Sequence, residues 1–217
     1  VGELRQLLRE IEVFAGELPD FDPVLTPDDP VELFTQWLHH ALRSGVREPH
    51  ATTLATVDAE GRPAARVLIL KDVGDRGWQF ASDAASPKGR DLTARPYAAL
   101  TFYWAALARQ VRIRGPVAPE PPEACTADFL ARGTGARAES LLGRQSQPLA
   151  DLDERDAAVA ASLARLEREP ELVSPTWTLY TLRPDSVEFW QGDRQRRHLR
   201  LAYRPTADGW HKQLLWP

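Results

Sequence analysis

The spacing of apolar side chains changes period several times along the chain. Leu4, Leu7, Leu8, Ile11 and Phe14 fall at helical spacing, and a Pro/Asp-rich connector, PDFDPVLTPDDP, follows them. Residues 1–29 therefore read as an arm ahead of the folded body. Val31, Phe34, Trp37, Leu38, Ala41 and Leu42 then repeat with a helical period. Asp29 before Pro30 offers an N-cap and a proline at the first helical position, and Gly45 offers a stop. The pattern predicts a helix over about 30 to 44.

From residue 52 the period falls to two. TTLATV (52–57) and AARVLILK (64–71) flank a DAEG turn as a hairpin, and GWQFAS (77–82) adds a strand after GDRG. Ser86 and Pro87 open a short helix as N-cap and first position. YAALTFYW (97–104) and RQVRIRGPV (109–117) read as longer strands joined across AALA. Residues 120–168 turn helical, with two short helices around 122–143 and an amphipathic one at 151–168 carrying Leu152, Val159, Leu163 and Leu166. WTLYTLRP, SVEFWQG, RHLRLAY and GWHKQLLW supply four more strands. Many strands with short turns, and helices gathered at the start and middle, predict a mainly β fold with peripheral helices, an α+β barrel.

Composition narrows the function classes. The chain has 217 residues, with 27 basic and 31 acidic side chains and a net charge of −4. No broad basic face is available for nucleic acid, since counterion release needs one. One cysteine, Cys125, excludes an intrachain disulfide framework and a cysteine-based zinc cluster, and reads as a structural thiol. No apolar run approaches a membrane span of roughly 20 residues. These features lead us to expect a soluble, cytoplasmic protein. Only three of the basic residues are lysines and methionine is absent, which points to a GC-rich genome and a trimmed N-terminus.

The common catalytic signatures are missing. No G-x-S-x-G, G-x-G-x-x-G or Walker loop occurs, and the five histidines show no metal-ligand spacing. What remains is a set of anion-binding features, each with a plainer alternative. Arg66 and Lys71 lie on opposite faces of a regular strand, where they either meet two ligands or simply reach solvent. Ser86-Pro87-Lys88 offers free backbone N–H groups, a helix dipole and an ammonium, which suit a phosphate but also describe ordinary capping. Arg194, Arg196, Arg197 and Arg200 crowd one segment, which a charge-protected edge strand would also explain. Trp37, Trp78, Trp104, Trp177 and Trp216 read as core or interface residues.

The strings RVLILK, ASDAASPKGRDL, FYW followed by ARQVRIRGPV, RQSQP, and EFWQG followed by RRHLR occur in one order over residues 30–217. Together they resemble the pyridoxine/pyridoxamine 5′-phosphate oxidase family of FMN enzymes. The resemblance implies an FMN-binding split β-barrel as a single domain over 30–217, forming a homodimer with FMN at the subunit interface. It assigns Arg66, Val67, Leu68, Ile69, Ala81, Ser82, Lys88, Gln110, Gln145, Ser146, Trp190 and Arg200 to FMN. It assigns Lys71, Arg132, Arg196 and His198 to a small-molecule substrate, with Arg196 and His198 orienting it over the flavin for catalysis. No metal, nucleic acid or membrane partner is implied.

Departures from the family pattern fall mostly on the substrate side. Pro87-Lys88 stands where relatives carry Arg-Lys, with Arg90 as a candidate replacement cation. Asp128 and Ala136 stand where the substrate phosphate is usually held by Tyr and Ser; an Asp repels a phosphate and an Ala donates no hydrogen bond. Trp177-Thr178-Leu179 replaces Trp-Gly-Gly, and the usual Arg-Leu-His-Asp-Arg reads Arg196-Arg197-His198-Leu199-Arg200. The expectation is an FMN oxidase of a reduced nitrogen heterocycle or amine, using O2, in specialised metabolism. VREPHATTLATVDAEG, FASDAASPKG and the tryptophan-containing C-terminus resemble the phenazine-biosynthesis branch. The alternatives are a true B6 phosphate oxidase and a flavin-binding dimer without turnover.

Overall fold

The computed structural model describes residues 2–217. The elements in order are α1 (Gly2–Glu10), α2 (Pro30–Arg43), β1 (Ala51–Val57), β2 (Pro63–Gly74), β3 (Gly77–Asp83), α3 (Pro87–Ala94), β4 (Tyr97–Trp104) and β5 (Arg109–Pro119). They continue with α4 (Pro122–Leu130), α5 (Thr134–Leu141), α6 (Leu152–Arg168), β6 (Trp177–Leu182), β7 (Ser186–Gln191), β8 (Leu199–Thr206) and β9 (Gly209–Leu215). Strands pair in the order β4-β1-β2-β3-β6-β5-β7-β8-β9, and β4 also pairs with β5. The first six thus close as a barrel, and the mainly β fold with peripheral helices is the one the residue pattern predicts.

Local chemistry accounts for most boundaries. Asp29 accepts from the Val31 N–H at 2.8 Å and Asp151 from the Glu154 N–H at 2.7 Å, caps worth about 1 kcal/mol each. In β1, Thr52, Leu54 and Thr56 are buried while their neighbours are not. In β5, Arg109, Val111, Ile113 and Val117 are buried, so the inward row of this strand includes a guanidinium.

Two local expectations need correction, and one connection gains detail. The N-terminal helix stops at Glu10, and Phe14 lies outside it with φ of 58°. AALA contains a 3-10 turn, Ala105–Leu107, closed by Ala108 in the left-handed region. In β2 the register shifts between Leu70 and Asp72, so a bulge falls at Lys71. A bulge inserts an unpaired residue and re-aims its side chain.

Backbone contacts divide the chain into two compact units whose boundaries fall within β1, β4 and β5 and between β6 and β7. Unit one (1–52, 100–113 and 185–217) packs α2 on its strands through aromatic pairs. Phe34 meets Phe102 at 4.9 Å and Trp37 meets Phe189 at 5.1 Å between ring centroids. The connector is pinned to it: Tyr203 Oη donates to the Pro27 carbonyl at 2.8 Å, and Lys212 Nζ to that of Thr26 at 2.9 Å. Trp216 is 91% exposed, so it belongs to no core of this chain.

Unit two (53–99 and 114–184) buries Trp78, Phe80, Phe129 and Leu182 completely. Phe80 stacks on Tyr180 at 5.5 Å, and Cys125 Sγ accepts from the Leu179 N–H at 3.3 Å, which suits a structural thiol. Here α3 approaches the end of β3 so closely that a Cβ on Gly89 would stand 2.3 Å from the Ala84 carbonyl oxygen. Backbone cannot yield as a side-chain tip can. Gly89→Ala is therefore expected to lower stability by about 3 kcal/mol, read as a reduced midpoint in denaturant titration.

Candidate active site

Unit two contains a cleft of about 750 Å³. Its lining includes Arg66, Val67 and Leu68 of β2, Ala81 and Ser82 of β3, and Lys88 of α3. Gln145 and Ser146 after α5, together with Arg132 and Trp177, complete that part of it. Thus eight of the expected cofactor residues share one cavity. Ile69 is exposed on the same strand and does not line it.

The cleft concentrates positive charge at the start of α3. Ser86 accepts the Gly89 N–H at 3.3 Å, and Lys88 Nζ donates to Gln145 Oε1 at 2.7 Å. Arg66 Nη1 donates to Thr56 Oγ1 at 2.6 Å, Thr56 in turn donates to the buried Asp91 at 2.7 Å, and Arg66 Nη2 lies 3.8 Å from that carboxylate. Burial first, and then the Arg66 charge, pull the Lys88 ammonium below its ordinary range, with partial relief from Asp83. Two adjacent cations, one of them partly desolvated, at a helix N-terminus fit a phosphate monoester such as that of FMN. Arg90, the candidate replacement cation, does not line this cleft. It is exposed and donates to the Ala85 carbonyl at 2.5 Å.

A second group in this unit surrounds Asp128. Lys71 Nζ lies 3.0 Å from Asp128 Oδ1, and Trp177 Nε1 donates to Oδ2 at 2.8 Å. The Arg132 guanidinium stacks 3.9 Å over the Trp177 ring and donates to Ser140 Oγ at 2.6 Å. Burial lowers the Arg132 pKa, opposed by Asp128 and Glu139. The carboxylate therefore neutralises the Lys71 ammonium, while Arg132 keeps an aromatic platform. Trp177 belongs to this cleft as well as to packing against Phe129, a role that core assignment alone misses.

Gln110, Trp190, Arg196, His198 and Arg200 belong to unit one. Trp190 and His198 pack with centroids 5.1 Å apart, and Phe14 of the arm covers both, at 5.8 Å and 5.5 Å respectively. Arg194 fastens that arm by donating to the carbonyls of Phe14 and Gly16. His198 Nδ1 accepts the Asp193 N–H at 3.0 Å, so a neutral ring carries its proton on Nε2. Arg200 forms a two-pronged pair with Glu188, at 3.1 Å on each oxygen, which raises the guanidinium pKa. Arg196 is exposed and Gln110 half-buried.

Arg196 (φ 64°) and Ser146 (φ 66°) both sit in the left-handed region. Side-chain-bearing residues held there cost of order 1 kcal/mol or more, and such strain gathers at functional sites. Sequence reasoning found both residues but had no signal for their backbone. It also missed Phe14 over His198, which follows no periodicity. Phe14→Ala is expected to speed hydrogen exchange of the Asp193 amide by about tenfold, because the ring shields the bond to His198.

A family model described as pyridoxamine 5′-phosphate oxidase matches residues 38–177, and one described as the pyridoxine 5′-phosphate oxidase C-terminal dimerisation region matches 177–217. The pyridoxine/pyridoxamine 5′-phosphate oxidase of Ectopseudomonas mendocina is 42% identical over 193 residues, covering 88% of this chain and 90% of that one. The protein of the same name from Thermosynechococcus vestitus is 43% identical over the same length, with the same shares covered. Among solved structures, PhzG from Burkholderia lata 383, in complex with tetrahydrophenazine-1-carboxylic acid, superposes with a TM-score of 0.85. It is 30% identical, with 93% of this chain and all of that one covered. Among the described residues no helix is long and apolar enough to cross a membrane, and no cluster of metal-binding side chains occurs. On the strength of the two consecutive family matches and the relatives above 40% identity, this chain belongs to the pyridoxine/pyridoxamine 5′-phosphate oxidase family.

Proposed function

We propose that this protein is a cytoplasmic FMN-dependent oxidase that takes two electrons and two protons from a reduced nitrogen heterocycle or amine, O2 leaving as hydrogen peroxide. Its substrate in this reading bears a single carboxylate and no phosphate, as in specialised, phenazine-like metabolism. The observation that carries it is the Asp128 carboxylate held by Lys71 and Trp177. The ion pair leaves no free Lys71 charge to meet a phosphate dianion, whereas one carboxylate needs only Arg132. The ligand named for the PhzG structure, a reduced tricyclic carboxylic acid, has this character.

In this reading residues 30–217 act as one domain with 1–29 as an arm, and two copies join through the C-terminal region with FMN at their interface. Lys88 and Arg66 hold the flavin phosphate. Val67, Leu68, Ile69, Ala81, Ser82, Gln110, Gln145, Ser146, Trp190 and Arg200 bind the remainder of the cofactor. The flavin supplies a two-electron acceptor that O2 can reoxidise. Lys71 positions Asp128, Arg132 grips the substrate anion, and Arg196 and His198 orient the reacting ring, with the Nε2 proton of His198 available as a hydrogen-bond donor.

A second reading, a true B6 phosphate oxidase, is favoured by the names of the relatives and by the presence of Lys71 and Arg132. The visible spectrum of the purified protein, followed by anaerobic addition of pyridoxine 5′-phosphate, separates the two. A yellow protein that stays oxidised is the expected result. Bleaching at an ordinary enzymatic rate, roughly 1 s⁻¹ or faster, would establish the B6 reading instead, and failure to take up added FMN would remove both. His198→Ala is expected to abolish turnover of the true substrate while FMN is retained; unchanged turnover would reduce His198 to a packing residue.

A further inference from the structure

Unit one holds a cavity of about 530 Å³ that the proposed oxidase reading does not use, lined by the connector, by α2 and by Arg109 of β5. Arg109 is 4% exposed. Its guanidinium donates only to neutral acceptors: Gln191 Oε1 at 2.8 Å, His40 Nδ1 at 3.2 Å and the Asp20 carbonyl at 3.3 Å. One face lies 4.1 Å over the Trp37 ring. Among the described residues it forms no ion pair with a carboxylate. A buried charge without a counterion is costly, and burial pulls the Arg109 pKa down to about 10.

The same cavity gathers a second guanidinium and two imidazoles from α2. Arg43, His39 and His40 all line it. Because His40 Nδ1 accepts from Arg109, its neutral ring carries the proton on Nε2. Burial, then Arg109, then Arg43, push the His40 pKa down. Each of these groups would be relieved by one anion. Phe21 packs edge-on against Trp37 at 5.1 Å, so two aromatic walls stand beside the cations.

We infer that this cavity binds a small aromatic carboxylate, its charge held by Arg109, Arg43 and His40 and its ring placed against Trp37 and Phe21. Asp20 and Asp22 also line the cavity, and Asp22 already accepts the Val24 N–H at 2.9 Å. An aromatic carboxylate is preferred to inorganic phosphate because the aromatic lining can hold a ring that phosphate lacks.

The test is a titration of the intact protein with benzoate, and in parallel with inorganic phosphate, following the NMR signals of the His40 ring and the Trp37 indole N–H. Those two reporters distinguish this cavity from the cleft containing Arg132, so the outcome is independent of what the oxidase turns over. Saturable benzoate shifts at both signals are expected, with affinity reduced at least about tenfold in Arg43→Gln and in His40→Gln, the latter read at Trp37. Shifts that do not saturate, or affinity in both variants equal to that of the parent protein, would overturn the site. Phosphate binding more tightly than benzoate would overturn the carboxylate assignment.

Discussion

Lys88→Gln is expected to weaken FMN binding by about 100-fold, or ~2.7 kcal/mol, without lowering the stability of the flavin-free protein. Both halves follow from one environment. Lys88 is partly desolvated and stands near Arg66, so its charge is held at a cost until a phosphate arrives. The fold lowers the pKa of this ammonium, so the protonated form is disfavoured in the folded state. That penalty is fully present below the folded-state pKa and fades as pH rises through it. A glutamine has no such penalty. At neutral pH the thermal midpoint of the flavin-free variant should therefore equal or exceed that of the parent, while its FMN titration by fluorescence quenching shifts to higher concentration. An unchanged FMN affinity would exclude Lys88 as a phosphate ligand.

The second large effect concerns Asp128. Asp128→Asn keeps an oxygen able to accept the Trp177 indole N–H but removes the charge paired with Lys71. Binding of pyridoxine 5′-phosphate should tighten, because the freed ammonium then faces the phosphate. Adding the hydroxyl donors that the family resemblance implies for a substrate phosphate, in Asp128→Tyr with Ala136→Ser, is expected to raise kcat/KM for that substrate by roughly two decades, near 2.7 kcal/mol. Steady-state peroxide formation measures it. If both variants act on the phosphate no better than the parent, the Lys71–Asp128 pair is not what determines substrate choice.

Much of this protein can be read from residue order. The Asp29-Pro30 and Ser86-Pro87 helix starts, the alternation in β1 and the C-terminal strands depend on neighbours in sequence, and local sterics and capping act at that range. Family membership was legible for a related reason: motifs that surround a cofactor must keep their chemistry and their order. Eight of the residues expected at the cofactor gather in one cleft, although their spacing in sequence shows no proximity.

Other features were decided only by contacts between distant segments. Arg90 and Lys88 are neighbours on α3, yet one turns back to Ala85 and the other reaches Gln145. The second cation of the cleft is Arg66, from β2. Asp128 looked merely repulsive in the sequence, whereas the fold sets Lys71 and Trp177 against it and makes the repulsion a neutral pair. Phe14 belonged by spacing to a helix, but packing on Trp190 and His198 places it beyond the helix end. The sequence by itself determined the barrel, its helices and the family, because period, caps and motif order are local or collinear properties. Tertiary structure decided which charges are paired and which stay uncompensated, because Coulomb energy and desolvation depend on distance in space and on burial.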